Sequence, residues 1–274
     1  MGAFISSAKP GTTVPELERE TEPAGAAAAD SPATLEPEGT VIFESLGRKI
    51  VRHGDRVTKI DPDGIKPSEA EVMRFIGEHT EIPVPRVHDA TLTSITMDFV
   101  EGTTLEKTWN SLSDAERDTV SAQLRGYLDQ LRAIKGSYIG GFGRNPAVVS
   151  RYFSVEGGPF ASEAEWNDFL LEDIHPEHPR AFRSMVQDEL RTDHDIVLTH
   201  GDLVAQNILV RDGRIVALLD WENAGFYPEY VELVKPLRGP DWRVGYYNAL
   251  LDIFPRRYGA EYLMDQFLSS ISRH

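Results

Sequence analysis

From Thr40 onward the chain alternates short apolar runs with turn residues. Val41–Phe43, Lys49–His53 and Arg56–Ile60 predict three short strands, with Gly54-Asp55 turning between the last two. Ser68 to about His79 predicts a helix, because Met73 and Ile76 fall three apart on one face and Pro83 and Pro85 end the run. Ser94–Phe99 predicts a further strand, broken by Glu101-Gly102. The first part of the chain is therefore strand-rich with one helix. After it the apolar period changes. Ser113-Asp114-Ala115-Glu116 is a capping box, and Val120, Leu124, Tyr127, Leu128, Leu131 and Ile134 keep helical spacing to about Lys135. Gly136–Pro146 predicts a glycine-rich loop. A second capping box, Ser162–Glu165, opens a helix over Trp166–Leu171, and another helix is predicted over Pro179–Arg191. Ile196–Thr199, Asn207–Val210 and Arg214–Leu219 read as strands, with Asp212-Gly213 turning between the last two. Helices about Trp242–Ile253 and Ala260–Ser272 follow.

Residues 1–38 differ in kind. They are rich in Pro, Ala, Glu, Thr and Ser and poor in large apolar residues, so they are expected to form a disordered acidic tail. Lys9 and Arg19 stand there against seven carboxylates, a net −5 out of the −16 of the whole chain. Such acidity argues against a nucleic-acid partner, which needs a basic footprint, and is compatible with a cationic small molecule. The absence of cysteine excludes disulfides and thiolate metal sites and fits a reducing, cytoplasmic setting. No apolar run reaches the length of a membrane span, and no signal-peptide pattern is present. Met1-Gly2-Ala3-Phe4-Ile5-Ser6 matches the short myristoylation pattern, but that pattern is loose and one acyl chain anchors only marginally. A monomer is expected.

The run that carries chemistry is His200-Gly201-Asp202-Leu203-Val204-Ala205-Gln206-Asn207, with Asp220-Trp221-Glu222 after the hairpin. Phosphoryl transfer asks a protein chiefly for positioning and charge neutralisation. It needs a carboxylate to orient or accept the proton of a hydroxyl, and oxygen ligands for Mg²⁺ beside a triphosphate. Asp202 and Asn207, five residues apart on one loop, have the spacing of a kinase catalytic loop. The hairpin then returns the chain so that Asp220 can face the same metal.

Together these segments resemble the aminoglycoside phosphotransferase and choline kinase family over about residues 40–240. Upstream, Arg56–Ile60 resembles the strand with the ATP-anchoring lysine, and Glu69–Ile76 its partner helix. Met97–Leu105 resembles the hinge strand and following turn. The resemblance implies an α+β, bilobal protein-kinase-like fold. A small antiparallel-sheet N-lobe with one helix (39–101) would bind nucleotide, and a larger, mostly helical C-lobe (102–274) would hold the catalytic loop. It implies an ATP- and Mg²⁺-dependent transfer to a small-molecule hydroxyl, with Asp202 as base, Asn207 and Asp220 as metal ligands and Lys59 on the α- and β-phosphates. Glu69 would brace Lys59, with Glu71 as the alternative, and Met97, Asp98, Phe99 and Val100 would hold adenine. His200 would brace the loop.

Four departures qualify the resemblance. Glu44–Arg48 lacks a G-x-G-x-x-G phosphate loop, and Val204-Ala205 replaces a polar residue and proline. No A-P-E segment and no arginine before Asp202 are present, which argues against a protein kinase. A catalytically silent kinase-fold binding protein is the alternative. The acceptor would be lined by Trp221, Glu222, Tyr227, Glu229, Trp242 and the Gly157–Phe160 turn, where carboxylates would attract an amine.

Overall fold

The computed structural model describes residues 39–150, 154–239, 243–254 and 256–272. The expected tail, the acylation pattern at Gly2 and Trp242 lie outside them.

The apolar runs after Thr40 become one antiparallel sheet: β1 (Thr40–Ser45), β2 (Arg48–His53), β3 (Arg56–Ile60), β4 (Val87–Ala90) and β5 (Ser94–Asp98), in the order β1-β2-β3-β5-β4. Pairing of Val57 with Met97 and of Lys59 with Ile95 fixes the register of the central pair. That register buries Val57, Ile95 and Met97, and a slip of one residue would turn Lys59 away from the cleft. The outer strand β1 is exposed along its whole length. β4 was not predicted; its sequence, Val-His-Asp-Ala, has too little alternation to announce a strand.

Helix α1 (Pro67–His79) starts on a proline, whose fixed φ suits the first turn. Its inner face buries Glu69, Ala70, Val72, Met73, Phe75 and Ile76. Burial of a side chain such as Ile76 contributes roughly 2 kcal/mol, so this face is what docks the helix. Phe75 also packs against Phe142, with the rings tilted by 48° and their centres 5.3 Å apart, and so joins α1 to the second part of the molecule.

That second part begins with β6 (Thr103–Thr104) and α2 (Leu105–Thr108), followed by the long α3 (Asp114–Ala133). The Ser113 capping box is complete: Ser113 Oγ accepts from Glu116 N, and Glu116 Oε2 accepts from Ser113 N. The glycine-rich stretch carries β7 (Gly140–Gly141), and β8 (Ala147–Ser150) and β9 (Ser154–Gly157) form a hairpin that sequence pattern missed. At the second capping box only half the reciprocity forms. Ser162 Oγ accepts from Glu165 N, whereas Glu165 reaches Ala161 N instead of Ser162 N. The helix it opens is α4 (Glu163–Glu172), and α5 (Arg180–Glu189) follows.

β10 (Ile196–Thr199), β11 (Ile208–Arg211), β12 (Arg214–Leu218) and β13 (Gly225–Pro228) frame the chemistry, and α6 (Val231–Val234), α7 (Tyr246–Ile253) and α8 (Gly259–Ile271) complete the packing. The predicted strand at Asn207 begins one residue later, because Ala205–Asn207 closes a 3₁₀ turn first. One continuous core joins both parts, from Val57 and Ile76 through Leu105, Leu124 and Leu198 to Trp221 and Tyr246. Leu218 N donates to Pro83 O at 2.8 Å, which ties the β11–β12 hairpin to the segment after α1.

Candidate active site

The loop from His200 to Asn207 leaves β10 and returns into β11. Gly201 holds φ +78°, and a Cβ there would collide with the Asn223 carbonyl, so only glycine fits. The N–H groups of His200 and Gly201 donate to the buried Glu232 carboxylate at 2.6 and 3.1 Å. His200 is itself fully buried. Its Nδ1 accepts from Asp202 N at 3.2 Å, which leaves Nε2–H to donate to Leu219 O at 3.0 Å. One neutral ring thus spans the His200–Asn207 loop and the residue before Asp220. Burial pulls His200 down to about 4, so the neutral form persists at neutral pH.

Asp202 is half-buried, and burial, then the nearby Asp220 charge, pushes its carboxyl above the usual range. Asn207 Nδ2 donates to both the Asp202 carbonyl (2.9 Å) and Oδ2 (2.8 Å). That fixes the carboxylate and leaves the amide oxygen of Asn207 available. Asp220 holds φ +62°, a left-handed conformation that non-glycine residues rarely adopt and that concentrates at functional sites.

From the opposite side, Lys59 on β3 meets three carboxylates. Its Nζ lies 3.0 Å from each oxygen of Glu69, 2.9 Å from Asp220 Oδ1 and 3.6 Å from Glu222 Oε2. Burial opposes the ammonium, but Glu69, Asp220 and Glu222 outweigh it and hold the charge above its ordinary range. Burial likewise pushes the Glu69 carboxyl up, against the pull of Lys59. Of the two candidate glutamates, Glu69 is the one at Lys59, and Glu71 is exposed.

Arg48, at the start of β2, reaches Asp61 at 2.5 Å and Glu222 at 3.4 Å. Sequence reasoning noted its segment only for missing glycines. Arg48, Lys59, Asp61, Lys66, Glu222 and Asn223 line a polar cavity of about 200 Å³ between the two parts. Glu69, Asp220 and Glu222 can bring one oxygen each within 4.8 Å of one another. This hard oxygen set, with the Asn207 amide oxygen, suits Mg²⁺ in its donor chemistry.

Of the residues expected at the hinge, Met97 and Asp98 end β5, and Phe99 and Val100 follow it. Met97 is buried between Val57 and Val87. Asp98 N and Phe99 N donate to Arg86 O and Asp55 O at 3.0 and 2.8 Å. Asp98 also pairs with His88 at 2.5 Å, and the Arg52 guanidinium lies 3.6 Å above the Phe99 ring. Val100 is half-buried beside them.

The acceptor expectations need correction. Trp221 and Tyr227 are fully buried core residues: the indole donates to Leu218 O and packs on His200, and Tyr227 OH accepts from Val148 N. Glu229 pairs with Arg256, away from the cavity, and Phe160 packs against Trp166 and Phe169. Of the residues expected to line an acceptor, Glu222 reaches the cavity. Glu232 was not anticipated; its position in the apolar run Tyr230–Val234 is the signal that a buried carboxylate there holds something.

An antiparallel N-terminal sheet with one braced helix, set on a helical part that carries H-x-D, Asn and Asp at one cleft, is a protein-kinase-like fold. The model of the phosphotransferase enzyme family matches residues 44–267, and the chain belongs to that family. Among solved structures, aminoglycoside phosphotransferase APH(4)-Ia with ADP and hygromycin B superposes with a TM-score of 0.58 at 18% identity, over 86% of this chain and 84% of that one. APH(2'')-IIa with streptomycin and ATP gives 0.56 at 12% identity, over 84% and 81%. These likenesses are of fold. No described helix is long and apolar enough to cross a membrane.

Proposed function

We propose that the cleft transfers the γ-phosphoryl group of ATP to a hydroxyl of a small molecule. The observation that carries this reading is the meeting of Lys59, Glu69 and Asp220 across the two parts, with the Asn207-braced Asp202 carboxylate close enough to Asp220 to feel its charge. That ATP or ADP occupies solved members of similar fold supports it.

Lys59, kept charged by its carboxylates, would neutralise the α- and β-phosphates. Glu69 holds it in place from a buried helix face. Arg48 would supply a further cation where a glycine-rich loop is lacking. The adenine would lie against Met97–Val100. Because the N–H groups of Asp98 and Phe99 are already engaged, Val100 N–H is the hinge donor that would face it. Asn207, through its amide oxygen, and Asp220 would hold Mg²⁺, which when bound neutralises phosphate charge. Asp202 would accept the proton of the acceptor hydroxyl. The hydroxyl oxygen bonds to the γ-phosphorus, the bond to the β–γ bridging oxygen breaks, and ADP leaves. His200 and Glu232 do no chemistry in this account; they fix the base loop.

The test is ADP release from Mg-ATP with a panel of aminoglycosides, choline, sugars and amino alcohols, with Asp202→Ala as control. Acceptor-dependent release that is lost in the variant is expected. A thermal shift by Mg-ATP without turnover on any member would favour a silent nucleotide-binding protein.

A further inference from the structure

Lys235 is left unused by the chemistry above. It follows α6 and opens the 3₁₀ turn Lys235–Leu237. Part of its stem meets solvent, but Nζ is buried and has no hydrogen-bond partner among the described residues. A buried ammonium without a partner is costly and is normally paired or neutralised. Here the carboxylates whose charge it feels are taken. Glu232 accepts from His200 N and Gly201 N, and Asp202 accepts from Asn207. The nearby Asp265 is held by Arg238 through two bonds of 2.6 and 2.7 Å. What faces the ammonium instead is the Tyr227 ring, 5.6 Å away, a weak substitute for an anion. Burial, then Arg238, pulls Lys235 down to about 8, so it stays mainly protonated at neutral pH.

The surroundings point to a ligand. A cavity of about 20 Å³ opens beside Lys235, walled by Val148, Trp166, Tyr227, Tyr230 and Arg238, with room for one water or one ligand oxygen. Val148 is common to the walls of this cavity and of the 200 Å³ cleft of Lys59 and Glu222. Nucleotide phosphates already have Lys59, Arg48 and the metal-binding oxygens. We infer that Lys235 anchors an anionic group of the acceptor: a carboxylate or phosphate near the reacting hydroxyl takes the open side of its ammonium. This rests on the phosphotransferase reading of the cleft, and it replaces the expectation of a cationic acceptor drawn from net charge.

The test uses the full chain as wild type, Lys235→Met and Lys235→Arg. Glycerate, glycerol 3-phosphate, glycerol and choline are titrated by calorimetry at saturating Mg-ADP, and each protein is melted without ligand. At least one anion should bind the wild type about tenfold or more tighter than glycerol; which one separates carboxylate from phosphate. The preference should vanish in Lys235→Met and persist in part in Lys235→Arg. Ligand-free Lys235→Met should melt no lower than wild type, because it removes an unpaired buried charge. Equal binding of all four compounds, tighter binding of choline, or a preference that survives in Lys235→Met would overturn the inference. So would a marked drop in melting temperature, which would make Lys235 a structural cation. If Lys235→Met does not fold, Lys235 is likewise a structural cation and the inference falls, unless Lys235→Gln folds and loses the preference. Failure of Mg-ADP to bind wild type would count against the phosphotransferase reading itself, with anion preference at Lys235 still measured without nucleotide.

Discussion

The two sides of the His200–Asn207 loop treat charge differently. Towards β3, Lys59 has Glu69, Asp220 and Glu222 within 3.6 Å, and Arg48 shares Glu222. Towards α6, the Lys235 ammonium has no such partner among the described residues. A cleft whose cations are already compensated can wait for a metal-bound triphosphate, which would exchange one set of anions for another. A buried cation left open among the described residues offers a place for an anion. The first arrangement would serve the phosphoryl transfer proposed for the cleft; the second would belong to this chain's own acceptor.

Breaking the compensated side should have the largest effect. Lys59→Met is expected to lower phosphotransferase kcat/KM on the order of a hundredfold or more, since it removes a preorganised charge at the phosphates. Glu69→Gln, which loosens the lysine without removing it, should cost about tenfold. Glu71→Gln, one residue pair along the same helix but exposed, should stay within about twofold, and an equal loss at both glutamates would show that the 3.0 Å pair is not the functional one.

Next comes the loop that separates the two sides. Gly201→Ala must accept φ +78° and a collision with the Asn223 carbonyl, so it should lower unfolding free energy by about 2–4 kcal/mol in denaturant titration. A loss below about 0.5 kcal/mol would mean that the loop can relax.

A smaller, pH-dependent effect comes from His200. Its folded-state pKa, about 4, lies below its ordinary value of 6.5, so the unfolded chain binds the extra proton first. Its contribution is therefore fully present above about pH 6.5 and is lost as pH falls toward 4, by at most ~3 kcal/mol. In urea unfolding at pH 7 and pH 5, wild type should lose more unfolding free energy on acidification than His200→Gln. An equal loss in both would contradict a buried neutral imidazole.

How much of this was readable beforehand follows the same division. Asp202 and Asn207 were named from their spacing on one loop and Asp220 from the hairpin that follows it, whereas Lys59 and Glu69 came from the family resemblance of their strand and helix. The three strands, α1 and the Ser113 cap were likewise legible, because period and capping chemistry are local. β4, β13 and the β8–β9 hairpin were not, since those runs are too short or too uniformly apolar to alternate. The acceptor side failed for a different reason. Trp221 and Tyr227 have the composition of a binding wall, but only packing reveals that they fill the core, and only three-dimensional neighbours reveal that Lys235 lacks a partner among the described residues.

The most direct test of the account is to separate nucleotide binding from transfer at Asp202. Asp202→Asn should bind Mg-ATP within about threefold of wild type by calorimetry, while transfer of labelled γ-phosphate to the best acceptor falls by roughly 100-fold or more. Transfer that continues at the wild-type rate in Asp202→Asn would contradict the central claim.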